Sequence, residues 1–484
     1  MREEVGHDAV LAGILPQPGP LPLLPRAGQE VEQRAVVDRS ERMHGRRRRG
    51  DDGVTRPLEL GADRVGARGN LDGGRPHADP DLGRGIVEPL RVAPRHRDGR
   101  HRGEPTWTGT VPVRVAAVTG PPASRGPRLR ELGLRIGALA PGPANAITDV
   151  AGVQVGHVTV WRNEPGGRGV ARTGVTAILP GPAEGLFREP VPAGAAVLNG
   201  AGEMTGFIAA SEWGRVETPV YLTSTMAVGR IFDGAIVAAV AADPAVGDEE
   251  VVIPVVAECD DSWLSDSAVV QVEAGDAARA VARARGGAVA EGAVGAGTGM
   301  VCFGWKGGIG TASRIAPESG ATVGVLVLAN FGSAPDLRVD GVPVGRTLPD
   351  PEAGVRQPAG SCIAVVATDA PLVAAQLTRI ARRAGLGLGR AGSVAHHGSG
   401  EIFLAFATSG RTSRAQAGRR SAEQSFPDGD LDQLFAATVD ASEEAVLNAL
   451  WAADDVSGRR ERVVTGLPQE PVLALLQAQG RLAA

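Results

Sequence analysis

From Leu129 onward, apolar residues arrive in short blocks separated by glycine, proline, asparagine or aspartate. The blocks at 195–198, 251–256, 322–328, 363–367 and 402–407 are rich in alanine, valine, leucine and isoleucine. Short continuous runs of this kind, bounded by turn formers, predict strands buried on both faces. Residues 371–384 instead follow a helical period. Leu372, Val373, Leu377, Ile380, Ala381 and Ala384 make one apolar face, while Arg379, Arg382 and Arg383 project elsewhere. Asp369 is expected to cap this helix, Pro371 suits its first turn, and Gly385 is expected to stop it. A second helix should follow Asp440, with Val446, Leu447 and Leu450 at helical spacing. Strands and helices alternate, but the strands outnumber the crossover helices that a simple doubly wound sheet needs.

Upstream of about residue 125 neither period is sustained. Runs such as Arg46-Arg47-Arg48-Arg49 and residues 95–102 are arginine-rich with interspersed acids, and apolar residues rarely cluster. Such a segment cannot bury enough surface to offset its ordering entropy. Residues 1–125 are therefore expected to be a disordered or non-native extension, and residues 126–484 the folded domain. No aromatic platform accompanies the arginines, so a nucleic-acid arm is not expected.

Composition narrows the classes further. The chain has 484 residues, 43% of them hydrophobic, and a formal charge of −5, which favours neither nucleic acid nor an anionic membrane as partner. Arginine supplies nearly all the positive charge, because Lys306 is the single lysine. Cys259, Cys302 and Cys362 are few and far apart, which argues against a disulfide framework or a structural zinc site. The acidic start MREEVGHD does not read as a secretory signal, and no run approaches the roughly 18–20 apolar residues of a spanning helix. A cytoplasmic protein without metal or cofactor is the expectation.

Two glycine-dense stretches, 295–300 and 304–310, miss the spacing of a dinucleotide fingerprint and the GK[ST] of a phosphate loop, so they read as structured turns. More informative is Gln357-Pro358-Ala359-Gly360-Ser361-Cys362, where a small-residue turn carries Gly-Ser into the buried run at 363–367.

This junction resembles the cleavage site of the L-aminopeptidase/D-esterase family, which includes the β-peptidyl aminopeptidases. Other motifs are similar to that family in the same order. They are residues 147–157 (ITDVAGVQVGH), Thr173-Gly174-Val175-Thr176, residues 199–206 (NGAGEMTG), Asn330-Phe331-Gly332, and residues 398–403 (GSGEIF). The resemblance implies a four-layer α/β/β/α sandwich of two largely parallel or mixed sheets covered by helices. It also implies a precursor that cuts itself between Gly360 and Ser361 into an α-chain and a β-chain, assembled as a homotetramer. Ser361 would be the nucleophile, Asn330 an oxyanion donor, and Ser399 with Glu401 an assisting pair. The implied substrates are small peptides, amides or esters.

Residue chemistry agrees with those roles. A freed N-terminal serine carries its own α-amine, which titrates near pH 8 and can act as a neighbouring general base. A side-chain amide can donate to charge developing on an attacked carbonyl. Residues two apart on a strand share a face, which would bring Ser399 and Glu401 together. Glu203 could bind a substrate amine, or form a structural salt bridge. The stretch 258–266 resembles one that carries an active-site tyrosine in the family, but no tyrosine occurs there, and Trp263 could fill the space as a pocket wall. Cys362 reads as a small core residue. A conventional hydrolase pairing Ser361 with His396 or His397 and Asp369 lacks the GxSxG elbow. His157 reads as a turn or core residue. The alternatives are a self-processing acyltransferase related to ornithine acetyltransferase, and an uncleaved ligand-binding homologue.

Overall fold

The computed structural model describes residues 125–164, 166–349, 351, 360–416 and 426–482. Expectations for 1–124 and for Gln357-Pro358-Ala359 fall outside them. Arg125 already belongs to the domain: its N–H donates to Ala452 O at 3.1 Å and its Nη1 to Leu467 O at 3.2 Å.

Two sheets form the centre. The first joins β1 (Gln154–Glu164), β2 (Gly169–Leu179), β5 (Val220–Ser224) and β6 (Val255–Cys259) in that order. The second contains β3 (Val191–Gly200), β4 (Arg215–Val216), β9 (Gly308–Ile315), β10 (Thr322–Asn330), β11 (Ser361–Thr368) and β12 (Gly400–Ala407), ordered β4-β3-β12-β11-β10-β9. Both sheets are mixed. β5–β6 and β11–β12 are parallel, and the other paired strands run antiparallel. A short hairpin, β7 (Val301–Cys302) and β8 (Trp305–Lys306), stands beside them.

Strand alternation builds the layers, because successive side chains leave opposite faces. Leu326, Leu328, Ile363, Val365, Ile402 and Leu404 meet Leu222, Ala257 and Cys259 between the sheets. Val325, Val327, Cys362, Ala364, Val366, Phe403 and Ala405 point the other way, into a core with two long helices, α5 (Ala374–Ala391) and α6 (Leu431–Ala452). On the far side, Val175, Ala177, Tyr221 and Val256 pack on Ile231 and Ala235 of α3 (Val228–Ala242) and Ala277 and Ala280 of α4 (Gly275–Ala282). The expected α/β/β/α sandwich follows. Shorter helices are α1 (Ala183–Leu186) and α2 (Phe207–Trp213), and α7 (Gln469–Ala478) closes the described chain.

Several boundaries move, each for a physical reason. The block at 251–256 yields strand only from Val255, because Val251 and Ile253 are 74% and 43% exposed on the preceding loop. Helix α5 starts at Ala374 rather than 371: Gln376 Oε1 accepts the Val373 N–H at 3.2 Å. Asp369 is not its cap; its Oδ1 accepts the Thr322 N–H at 2.8 Å and ties down the start of β10. Gly385 does not end the helix either. A Cβ there would lie 3.2 Å from Leu198 and 3.3 Å from Phe403, so this glycine lets α5 approach the sheet, and Gly392 (φ 113°) makes the left-handed stop. Helix α6 begins nine residues before Asp440.

One stretch passes a spanning test on length and composition, contrary to expectation. Residues 225–242 have mean hydropathy 1.5. They contain Arg230 and Asp233, and as α3 they lay Ile231 and Ala235 on the first sheet.

Candidate active site

Backbone register aligns the sequence motifs. The antiparallel β10–β11 pair puts Asn330 opposite Ser361. The parallel β11–β12 pair puts Ser361 opposite Gly400, and β12–β3 puts Gly400 opposite Gly200. One rung across four strands thus carries the N-F-G, Gly-Ser, G-S-G-E and N-G-A-G-E elements. By alternation, Ser361 shares the inter-sheet face with Ile363 and Val365, and Asn330 shares it with Leu326 and Leu328. Both are 5% exposed.

Asn330 is held on both ends of its amide. Oδ1 accepts the Val301 N–H at 2.8 Å, and Nδ2 donates to Asp260 O at 3.0 Å. These partners fix which end is nitrogen. Among the described residues, the second Nδ2–H has no partner, and it is the one that can meet a ligand.

The Gly360 carbonyl accepts the Gly400 N–H at 3.1 Å. A Cβ on Gly360 would stand 2.3 Å from Asn330 O and 2.9 Å from Phe331 Cα, so only glycine lets the chain enter β11 this close to β10. Ser399 Oγ donates to Glu401 Oε1, and burial raises the Glu401 carboxyl above its ordinary range while the Ser399 bond opposes the rise. The pair flanks Gly400. Alternation along β12 sets Glu401 with Phe403 on the helix-facing side, opposite Cys362 in register. No hydrogen bond joins Ser361 to this pair among the described residues.

Glu203 lies on the rim of a groove of about 630 Å³ lined by Gly200, Phe207, Ile208, Trp213 and Ile402. Gly200 carries the groove to the rung of Ser361. Beneath it, Glu258 is buried, with Oε1 accepting the Glu203 N–H at 2.9 Å and Oε2 accepting the Thr225 hydroxyl. Burial raises its carboxyl above the usual range. Asn199 pins the other side: its Nδ2 donates to His396 O at 2.9 Å and Ser399 O at 2.6 Å. Neither role was assigned from sequence. Asn199 stood in a matched motif, whereas Glu258 had only its position in the 258–266 stretch as a signal.

Trp263 packs against the cluster that contains Val301, the residue whose N–H holds Asn330. The Arg462 guanidinium stacks 3.8 Å from its ring centroid, and Trp263 is not among the residues lining the groove. Tyr221, the single tyrosine, is buried against α3, and burial raises its phenol. The histidine rivals are engaged elsewhere. His396 Nε2 is 3.2 Å from Ser333 Oγ, and Asp369 lies beyond the opposite end of β11. His157 Nδ1 is 2.9 Å from Thr176 Oγ1, and burial pushes its ring down to about 4. Cys362 is fully buried on the helix-facing side of β11.

Ser361 is thus a buried serine at the start of a central strand, between two sheets and beside a fixed amide. Residues 145–464 match the model of Peptidase family S58. The chain is 43% identical over 386 residues to Beta-peptidyl aminopeptidase BapA of Sphingosinicella microcystinivorans, covering 76% of this chain and 96% of that protein. Among solved structures it resembles a Burkholderia sp. beta-aminopeptidase (42% identity, TM-score 0.66, 73% of this chain and 99% of the other). It also resembles the L-aminopeptidase D-Ala-esterase/amidase of Ochrobactrum anthropi, described as a variant of the Ntn hydrolase fold (39%, TM-score 0.70, 74% and 100%). The chain belongs to Peptidase family S58 and is a serine aminopeptidase.

Proposed function

We propose that the protein cuts its own Gly360–Ser361 bond and then releases N-terminal residues, β-amino acids above all, from small peptides and amides. The observation that carries this reading is the shared rung of Asn330, Ser361, Gly400 and Gly200. In the first stage Ser361 Oγ attacks the Gly360 carbonyl carbon. The Gly400 N–H already on that oxygen stabilises the charge, the C–N bond breaks, and the departing α-amine takes the proton. Water then hydrolyses the ester, leaving a Gly360 carboxylate and a free Ser361. Ser399 and Glu401, on either side of Gly400, hold its N–H in position.

In turnover the Ser361 α-amine, a type of group whose unperturbed pKa lies near 8, accepts the hydroxyl proton as Oγ attacks the substrate acyl carbon. The uncommitted Nδ2–H of Asn330 donates to the developing oxyanion, and the amine of the leaving group takes the proton. Water releases the acyl group. Glu203, on the groove rim, accepts the substrate's ammonium, and an extra backbone methylene fits a carboxylate set back from the nucleophile by a groove. Esters enter the same acyl-enzyme route. The processed units assemble as homotetramers, as proposed from the family resemblance.

Two measurements test this. A panel of p-nitroanilides should rank β-homo-aminoacyl above L-α-aminoacyl substrates in kcat/KM. Equal or reversed ranking would remove the β-amino-acid preference. Gly360→Ala should slow conversion of precursor to two chains by at least about tenfold, since its methyl displaces the strand entry from Asn330. Processing at the wild-type rate would refute the tight-turn role.

A further inference from the structure

Lys306 is the chain's single lysine, and it is fully buried. Its Nζ donates to Gly297 O at 3.0 Å, Met300 O at 2.6 Å and Gly307 O at 2.8 Å, so each of the three ammonium protons has a carbonyl. Those carbonyls belong to the 3-10 turn Gly295–Gly299 and to the two ends of the β7–β8 hairpin. The hairpin is closed by Gly307 N–H to Met300 O at 3.0 Å, and Lys306 N–H reaches Thr465 O at 2.8 Å. Next to Met300 comes Val301, whose N–H holds Asn330 Oδ1. The opposite clamp on that amide, Asp260 O, is followed in the chain by Asp261. Asp261 is buried, and its Oδ2 has no hydrogen-bond partner among the described residues. Burial pushes the Lys306 ammonium down to about 7, and the charge of Asp261 opposes that fall, while burial pushes the Cys302 thiol up to about 12 and keeps it neutral. Burial likewise pushes Asp261 up to about 7.

We propose that Lys306 is the positioning residue for the oxyanion donor. It gathers three carbonyls into one platform, and the edge of that platform, the Val301 N–H, sets the Asn330 amide so that one Nδ2–H stays uncommitted. An uncharged side chain of similar length would fill the space but leave the Gly307 carbonyl unpaired among the described residues and the Gly297 and Met300 carbonyls with only their backbone donors, freeing the hairpin to shift. A shift of a few tenths of an ångström at Asn330 weakens a transition-state bond without changing how the substrate is held. The inference rests on Asn330 acting as oxyanion donor.

A double-mutant cycle on the processed enzyme, with rates normalised to the processed fraction, separates the two ideas. Lys306→Met should lower kcat on the best p-nitroanilide by about 10- to 100-fold with KM within twofold, and Lys306→Met/Asn330→Ala should be no slower than Asn330→Ala alone. If the two losses multiply, Lys306 acts independently of Asn330 and the proposal fails, while the role of Asn330 stands. Full kcat in Asn330→Ala would instead remove that role. Should Lys306→Met not fold, the unaltered protein carries its own probe, since lysine labelled at Cε and Nζ gives one NMR signal. That signal should report a hydrogen-bonded ammonium at pH 6 and move on Asn330→Ala but not on Glu203→Ala. A signal indifferent to Asn330→Ala overturns the proposal.

Discussion

Ser361→Ala is expected to remain one chain on a denaturing gel, where the parent protein should give two, the smaller spanning residues 361–484. The substitution removes a single oxygen from a side chain that is 5% exposed, so folding and the β10–β11–β12 register should survive. What disappears is the hydroxyl oxygen that attacks the carbonyl of the preceding residue, Gly360. Loss of a nucleophile of this kind costs about 10⁶-fold in kcat. Aminopeptidase turnover should therefore fall below detection, with the melting temperature close to that of the uncut parent. Continued cleavage at 360–361 in this variant would assign the cut to another group or another protease.

Asn330→Ala should be the next most damaging change. Removing one preorganised donor to an oxyanion lowers kcat by about 10²–10³-fold, or roughly 3–4 kcal/mol, and leaves KM nearly unchanged when the bond forms only in the transition state. Part of that loss is indirect, because a methyl group in place of the amide would leave the Val301 N–H without its acceptor and Asp260 O without its donor. Asn330→Asp sorts the two contributions. It keeps an oxygen for Val301 but opposes a second oxygen to Asp260 O, so it should lose kcat as fully as the alanine variant and melt lower. Thermal denaturation beside steady-state kinetics reads both. An aspartate variant that retains kcat would deny the amide its role.

Legibility in the sequence followed how local each signal was. The blocks at 322–328 and 363–367 appear as β10 and β11 because strands covered on both faces by other layers need little but apolar residues. Helix α6 gave a weaker signal. Asp440, Ser442, Glu443, Glu444 and Asn448 are buried within it, and Glu444 is satisfied by Arg314, Arg130 and Asn145 from far along the chain. Polar residues on a buried helix break the apolar period around Asp440, whereas the turns before it, which carry Leu431, Leu434 and Phe435 into the core, were missed without that cause. Gly385 was misread for a related reason: a glycine needed for close packing looks like a glycine needed for a stop.

The site divides in the same way. Gly360, Ser361, Asn330, Ser399 and Glu401 stood out because they sit in motifs, and the register brings those motifs to adjoining positions on one rung. The Gly400 N–H, the Glu258 carboxylate under Glu203, and the Lys306 cage were not legible. One is a backbone atom, and the others act only through contacts across strands or hairpins that no spacing announces. Trp263, singled out as an aromatic residue in a matching stretch, has its ring under Arg462 and against the cluster of Val301.

The proposed activity depends on a covalent event at one peptide bond. Intact-mass analysis with N-terminal sequencing of freshly purified, folded protein should find a second chain whose first residue is Ser361 and whose α-amine is unblocked. Folded, active material in which residues 360 and 361 remain joined would contradict it.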